Sequence, residues 1–265
     1  MMYYQHLPFS LPDAVASDRV TITEVGQAIG HVPEWVVLNL PQYNPDVRYR
    51  NVVEEFDVVS SAYAEPNYRT LDNGEKVIHI PSDGGIAFRT TTGHINPERW
   101  SGFAYVNAAV PPDEGVEEYY RGQYFGALHL VDTEDLRPTI NLAHVRSSSD
   151  RGFYIYENRL IQEAGQPYRL RWLSNEAGVT EPGIVMWTFS VENGLSIWFN
   201  GERKAVNTDD KRPLETGFDA FQILFRARGD VGVHGLLNID LNAPENAGHR
   251  IAIEKFMAKK YGINS

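Results

Sequence analysis

The clearest alternation of apolar and polar positions runs from Trp187 to Gly201, Trp-Thr-Phe-Ser-Val-Glu-Asn-Gly-Leu-Ser-Ile-Trp-Phe-Asn-Gly. Apolar residues at every second position on both sides of Asn193-Gly194 predict two antiparallel strands, because successive side chains of a strand point to opposite faces. A two-residue Asn193-Gly194 turn would set Phe189 against Trp198 and Thr188 against Phe199, mixing apolar and polar residues on one face. A three-residue loop, Glu192-Asn193-Gly194, with Gly194 in the left-handed region, instead pairs Val191 with Leu195, Phe189 with Ile197 and Trp187 with Phe199. That register gathers Trp187, Phe189, Val191, Leu195, Ile197 and Phe199 on one face and Thr188, Ser190, Ser196 and Asn200 on the other, so it is the expected one. Asn200-Gly201 then starts the next turn.

The same alternation marks strands near residues 19–25, 35–40, 103–110, 123–130, 139–146 and 152–156, separated by acidic or Gly/Pro-bearing loops. This spacing fits an antiparallel sandwich. Residues 1–65, broken by Pro33, Pro41 and Pro45, read as N-terminal strands or an arm; the first strands of the same sandwich are favoured, since short runs of this kind rarely fold alone. Residues 66–265 form the body of the sandwich, ending in a helix over 244–261. There Asn242 can cap, Pro244 sits near the first helical position, Lys259 and Lys260 lie in the last turn, and Gly262 can take the left-handed position beyond it. Ile253, Phe256 and Met257 make a narrow apolar stripe, so this helix packs by one edge.

Trp198-Phe199-Asn200-Gly201, the glycine-bearing stretch from Gly229 to Leu241, Lys260-Tyr261-Gly262 and the upstream Pro66-Asn-Tyr-Arg-Thr-Leu-Asp-Asn-Gly-Glu-Lys-Val-Ile-His-Ile80 together resemble the concanavalin A-like lectin/glucanase superfamily, in particular its laminin G-like branch. The resemblance implies an all-β, concanavalin A-like antiparallel β-sandwich (jelly roll) with a short C-terminal helix. It covers residues 66 to 263 through short motifs.

Composition narrows the partners. A net charge of −11, from 35 acidic and 24 basic residues, argues against nucleic acid or an anionic membrane as the main partner. No stretch approaches the ~20 apolar residues of a membrane span. Zero cysteines exclude disulfides, thiolate metal sites and cysteine nucleophiles. The N-terminus, Met1-Met-Tyr-Tyr-Gln-His-Leu-Pro-Phe-Ser10, lacks the basic head and continuous apolar core of a secretory signal. A lectin-like fold usually works outside cells, and a virion protein reaches that place by assembling in the host cytoplasm and leaving by lysis. The expected setting is therefore a phage tail, fibre or capsid surface. The expected partners are other virion proteins or copies of the same chain, and cell-surface glycan.

Candidate chemistry is sparse. Glu55-Phe-Asp-Val-Val59 would put Glu55 and Asp57 side by side, as a retaining glycoside hydrolase needs. Ser60, however, stands where the resembling motif requires its last carboxylate, and the segment precedes the entry strand, so no catalytic residue is expected. A polysaccharide hydrolase or lyase and a soluble lectin are the alternatives. The eight histidines are scattered without the spacing of a zinc site; His79, His129 and His144 fall in strand-like runs. Asp113-Glu-Gly-Val-Glu-Glu118 and Asp209-Asp210 could offer carboxylates to calcium, but neither has hard-cation spacing, so solvated turns are expected and no cofactor or metal is assigned. Sugar binding calls for an aromatic plane beside planar hydrogen-bonding groups, which singles out Tyr119, Tyr120, Arg121 and Tyr124, and also Trp198 on the Ser/Thr face of the hairpin. For Trp198 two readings stand: a stacking platform or subunit contact, and, favoured, a ring covered by a neighbouring loop or the terminal helix.

Overall fold

A computed structural model of the chain describes residues 25–43, 52–53, 67–80, 88–90, 95–107, 120–130, 136–146, 151–157, 170–173, 181–214, 220–224, 227 and 229–263. The strand expected from residue 19, Glu55 and Asp57, the acidic stretch 113–118 and Tyr119 lie outside them. In chain order the strands are β1 (Trp35–Asn39), β2 (Asn67–Thr70), β3 (Lys76–Ile80), β4 (Phe88–Thr90), β5 (Arg99–Asn107), β6 (Tyr120–Leu130), β7 (Leu136–Arg146), β8 (Arg151–Glu157), β9 (Leu170–Leu173), β10 (Gly183–Ser190), β11 (Gly194–Phe199), β12 (Glu202–Asn207), β13 (Ala220–Ile223) and β14 (Gly229–Leu237).

They form two antiparallel sheets. The first runs β12-β11-β10-β5-β14-β3-β2, and the second runs β4-β13-β6-β7-β8-β9. One edge of β14 is shared: β3 pairs with Gly229 to Val231, and β1 takes the remainder, from His234 to Leu237. The fold is thus the all-β sandwich with a short C-terminal helix that the alternation of the chain implies.

Between the sheets lies an aromatic-rich core. Trp187 and Phe199 of the first sheet meet Phe153 of the second at ring separations of 5.9 and 5.8 Å, and Tyr124 lies 5.5 Å from Trp187. Trp100 and Phe189, 5.7 Å apart, extend this layer along β5 and β10.

The hairpin of β10 and β11 has the expected faces and a different register. Phe189 pairs with Leu195, Trp187 with Ile197 and Val185 with Phe199, leaving Val191-Glu192-Asn193 as the loop. A shift of two residues preserves every side chain's face, because the period of a strand is two. The pattern of apolar residues therefore cannot distinguish the two registers. The choice is made by Ser190: its hydroxyl accepts the Asn193 N–H at 3.0 Å and donates to the buried Asp240 carboxylate at 2.7 Å, which closes the turn one residue earlier. Gly194 is left-handed as expected, with φ 74°, and a Cβ there would stand 2.2 Å from the Asn207 carbonyl oxygen.

The second face of this hairpin is dry. Thr188, Ser190 and Ser196 are buried although polar, because the outer face of the first sheet carries a further apolar layer. Phe103, Tyr105, Met186, Val233 and Leu237 meet Ile253, Met257 and Tyr261 of the C-terminal helix, and Val25 and Ile29 of a helical turn over residues 25–29. The helix begins as a 3-10 turn, Pro244–Asn246, and continues as an α-helix over Ala247–Tyr261. Asn242 does not cap it; instead its N–H binds Asp240 Oδ1 at 2.8 Å. Gly262, at φ 67°, ends the helix in the left-handed conformation, and the Ile263 N–H closes back on the Ala258 carbonyl at 3.0 Å.

Two measurements check this packing. Phe189→Ala should lower unfolding stability by about 3–5 kcal/mol in denaturant titration, since it empties the centre of the inter-sheet layer. His234, fully buried against Phe125, donates from Nδ1 to the Gly232 carbonyl at 2.8 Å. Burial lowers its pKa to about 4, and the Gly232 bond opposes the shift. The folded pKa lies below the unfolded value of about 6.5, so the unfolded chain takes the proton first. His234 should therefore cost nothing above about pH 6.5 and subtract up to about 1.4 kcal/mol per pH unit as pH falls toward 4. His234→Gln should remove that part of the slope when stability is compared from pH 7 to pH 4.

Candidate functional site

Alternation along β5, β14, β3 and β2 brings four polar residues into one row across the outer face of the first sheet. Asn107 pairs with Asp230, Asp230 with His79, and His79 with Asn67. Arg69, two residues beyond Asn67, faces the same way. Here the apolar cover ends, and the groups become partly accessible.

Asp230 organises the row. It is buried, yet its carboxylate pairs with the Arg69 guanidinium, accepts from or bonds to His79 Nδ1 at 2.8 Å, and is approached by Asn107 Nδ2 at 3.5 Å. Arg69 is 50% exposed and His79 32%, against 3% for Asp230. The carboxylate therefore fixes two planar cation-bearing or hydrogen-bonding groups from below and leaves their outer edges facing solvent. Behind them Tyr105 stacks on Tyr261 with ring centroids 3.8 Å apart. Burial, with the Asp230 charge as the second cause, raises the Tyr105 phenol pKa, so the ring stays neutral. Tyr261 accepts the Val233 N–H at 2.7 Å, in the space left by the missing side chain of Gly232. Its phenol is likewise pushed up, chiefly by burial.

Such a row offers planar hydrogen-bonding groups of both polarities at fixed spacing. The Asp230–His79 pair has the form of an oriented imidazole, but a base acts only on a proton within reach. Among the described residues no group of three or more His, Asp or Glu side chains is arranged to hold a metal. Asp210, one of the calcium candidates, is held by Arg212 through two bonds of 2.8 Å, and Asn207 caps the turn through the N–H groups of Asp209 and Asp210.

The candidates drawn from sequence are dispersed. Tyr120 and Arg121 open β6, paired with Arg146 and Val145, on the second sheet. Tyr124 is 1% exposed between the sheets, which removes its ring from any exposed aromatic surface. Trp198 is half-buried on the outer face of the first sheet and covered by the C-terminal helix: the Arg250 guanidinium lies 4.0 Å above its ring, held there by Glu254 at 3.0 Å. Of the two readings of Trp198, the covered one describes its position. Sequence reasoning missed the Asp230 row because its members are 123 and 151 residues apart along the chain, and only the pairing of β14 with β5 and β3 joins them. His79 was the one visible member, as a histidine in a strand.

No family model and no curated protein matches this sequence. Its architecture is nevertheless shared with solved structures. It is similar to Trypanosoma rangeli sialidase in complex with sialic acid, at a TM-score of 0.52 and 13% identity over 91% of this chain and 38% of that one. It is also similar to botulinum neurotoxin type C in a structure concerned with its dependence on two ganglioside molecules for cell entry, at a TM-score of 0.54 and 7% identity over 83% of this chain and 51% of that one. A third likeness is to the ligand binding domain of botulinum neurotoxin serotype D in complex with N-acetylneuraminic acid, at 0.51 and 11% over 86% and 52% of the two chains. This chain thus spans about half or less of each of those proteins. At these identities the likeness defines the fold alone, a β-sandwich.

The hierarchy of burial predicts an order of effects. Asp230→Ala should destabilise the fold by about 1–3 kcal/mol, because it leaves His79 and Asn107 without their shared acceptor. Arg69→Ala, removing a half-exposed partner, should cost less than about 1 kcal/mol. Thermal or denaturant melts of the two variants check this order; equal losses would mean that Asp230 does not organise the row.

Proposed function

We propose that this chain is a non-enzymatic glycan-binding module of a virion surface, a component of a phage tail, fibre or capsid that contacts host carbohydrate while joined to neighbouring virion subunits. The observation that carries the glycan reading is the Asp230-anchored row: Arg69, His79 and Asn107 present planar donors and acceptors at the partly open end of a lectin-like sheet. Sugars are bound by such fixed planar groups, and a guanidinium is suited to the carboxylate of an acidic sugar. The sandwich likeness to structures holding sialic acid or N-acetylneuraminic acid supports the same ligand class.

The laminin G-like assignment belongs to this proposal. It is supported by the Asn200-Gly201 turn that ends β11, where both residues are left-handed, at φ 49° and 80°, and the Asn200 side chain accepts the Ile184 N–H at 2.8 Å. The virion setting is supported by the sandwich fold combined with the absence of cysteine. No cofactor is needed for this role.

The test is binding of the full chain to immobilised ganglioside headgroups, sialylated and desialylated, and to neutral glycans. Sialylated glycan should bind, and Arg69→Ala should weaken it by about tenfold, roughly 1.4 kcal/mol. Tyr120→Ala or Arg121→Ala acting instead would move the site to the second sheet. Absence of binding to any glycan at about 1 mM would remove the glycan reading, since that corresponds to less than about 4 kcal/mol. Glycan cleavage that disappears in Glu55→Gln would replace it with a hydrolase.

A further inference from the structure

The far side of the C-terminal helix borders a cavity of about 430 Å³ that the glycan reading does not use. Val25 and Ala28 of the helical turn, Gln42 of the 3-10 turn Pro41–Tyr43, Glu75 of the β2–β3 turn and the helix residues Ala252 and Phe256 form its walls. Lys255, Lys259 and Lys260 form its rim. Helical spacing dictates this arrangement: Ala252, Phe256 and Lys259 or Lys260 succeed one another at three or four residues on one side of the helix.

Two features make it a site rather than a dent. Its floor is apolar, and Phe256 is half-buried there, packed against the edge of the cluster that holds Ile253 and Met257. Its rim is basic on a chain of net charge −11. Lys260 is neutralised by Glu75, whereas Lys255 and Lys259 are exposed and, among the described residues, have no carboxylate partner.

We infer that this groove binds a short acidic, apolar peptide segment of a partner protein. An extended peptide supplies both complements: an apolar side chain for Phe256 and Val25, and carboxylates for Lys255 and Lys259. The length fits, since Ala252 to Lys260 spans about 12 Å at the helical rise, or about four residues of extended chain. A membrane surface is disfavoured by the concave shape of the groove. The groove stands apart from the Asp230 row in residues and in ligand chemistry, so it does not depend on the glycan reading.

Fluorescence polarisation with the full chain and a labelled Asp-Glu-Phe-Asp-Leu peptide tests it. The peptide should bind and weaken with added salt, and Lys255→Glu combined with Lys259→Glu should reduce affinity by about tenfold or more. Both lysines are exposed, so the variant should melt as the parent does, and Arg69→Ala should bind the peptide normally. A Lys-Lys-Phe-Lys-Leu peptide should not bind. Equal binding of the acidic and basic peptides, an unchanged affinity in the double variant, or no binding at about 1 mM peptide would overturn the inference. Binding to phosphatidylserine vesicles without binding to the peptide would overturn it in favour of a membrane surface.

Discussion

The structure depends on one constraint: the central strands of the first sheet are dry on both sides. Every residue of β10 and β14, and Trp100 to Val106 of β5, is buried. One face is covered by the second sheet, as in any sandwich. The other requires a separate cover, supplied by the C-terminal helix and the helical turn at residues 25–29. An unpaired buried donor or acceptor on that face costs about 1–3 kcal/mol; the Thr188 and Ser196 hydroxyls are buried there without a partner, whereas Ser190 finds one.

The connection between β14 and the helix shows how this requirement is met. Asp240 is buried and collects the Ser190 hydroxyl, the Asn193 amide at 2.8 Å and the Asn242 N–H. Its own carbonyl accepts Asn246 Nδ2 at 2.9 Å. Ser101 bridges the Ile239 carbonyl and the Leu241 N–H nearby. One carboxylate therefore ties the hairpin turn to the start of the helix, and the register of β10 with β11 follows from it. At the other end, the Asn73 side chain binds the Lys260 carbonyl at 3.1 Å, and Lys260 pairs with Glu75. The helix is held at both ends by side chains and along its length by apolar contact.

Both candidate sites lie where this cover stops. Beyond Tyr261 the outer face of the sheet opens, and the Asp230 row becomes partly accessible. On the helix's outer side the lysines project over Phe256. The end of the helix at Tyr261 marks the boundary between the covered and the accessible part of the sheet face.

The sequence by itself determined the sandwich, the strand positions in the middle of the chain, the sharing of a face by Trp187, Phe189, Leu195, Ile197 and Phe199, and the helix with its Gly262 terminus. These are local matters of period and end chemistry, legible from neighbouring residues. It did not determine the hairpin register, because a shift of two leaves the pattern unchanged and the deciding partner, Asp240, comes from 50 residues away. Nor did it reveal that Thr188 and Ser196 would be buried, since a polar strand face ordinarily meets water. The Asp230 row and the lysine-rimmed groove belong wholly to the tertiary structure. Each joins residues from strands or turns far apart in the chain, and no local period records which strand will pair with which, or how far a terminal helix will extend across a sheet.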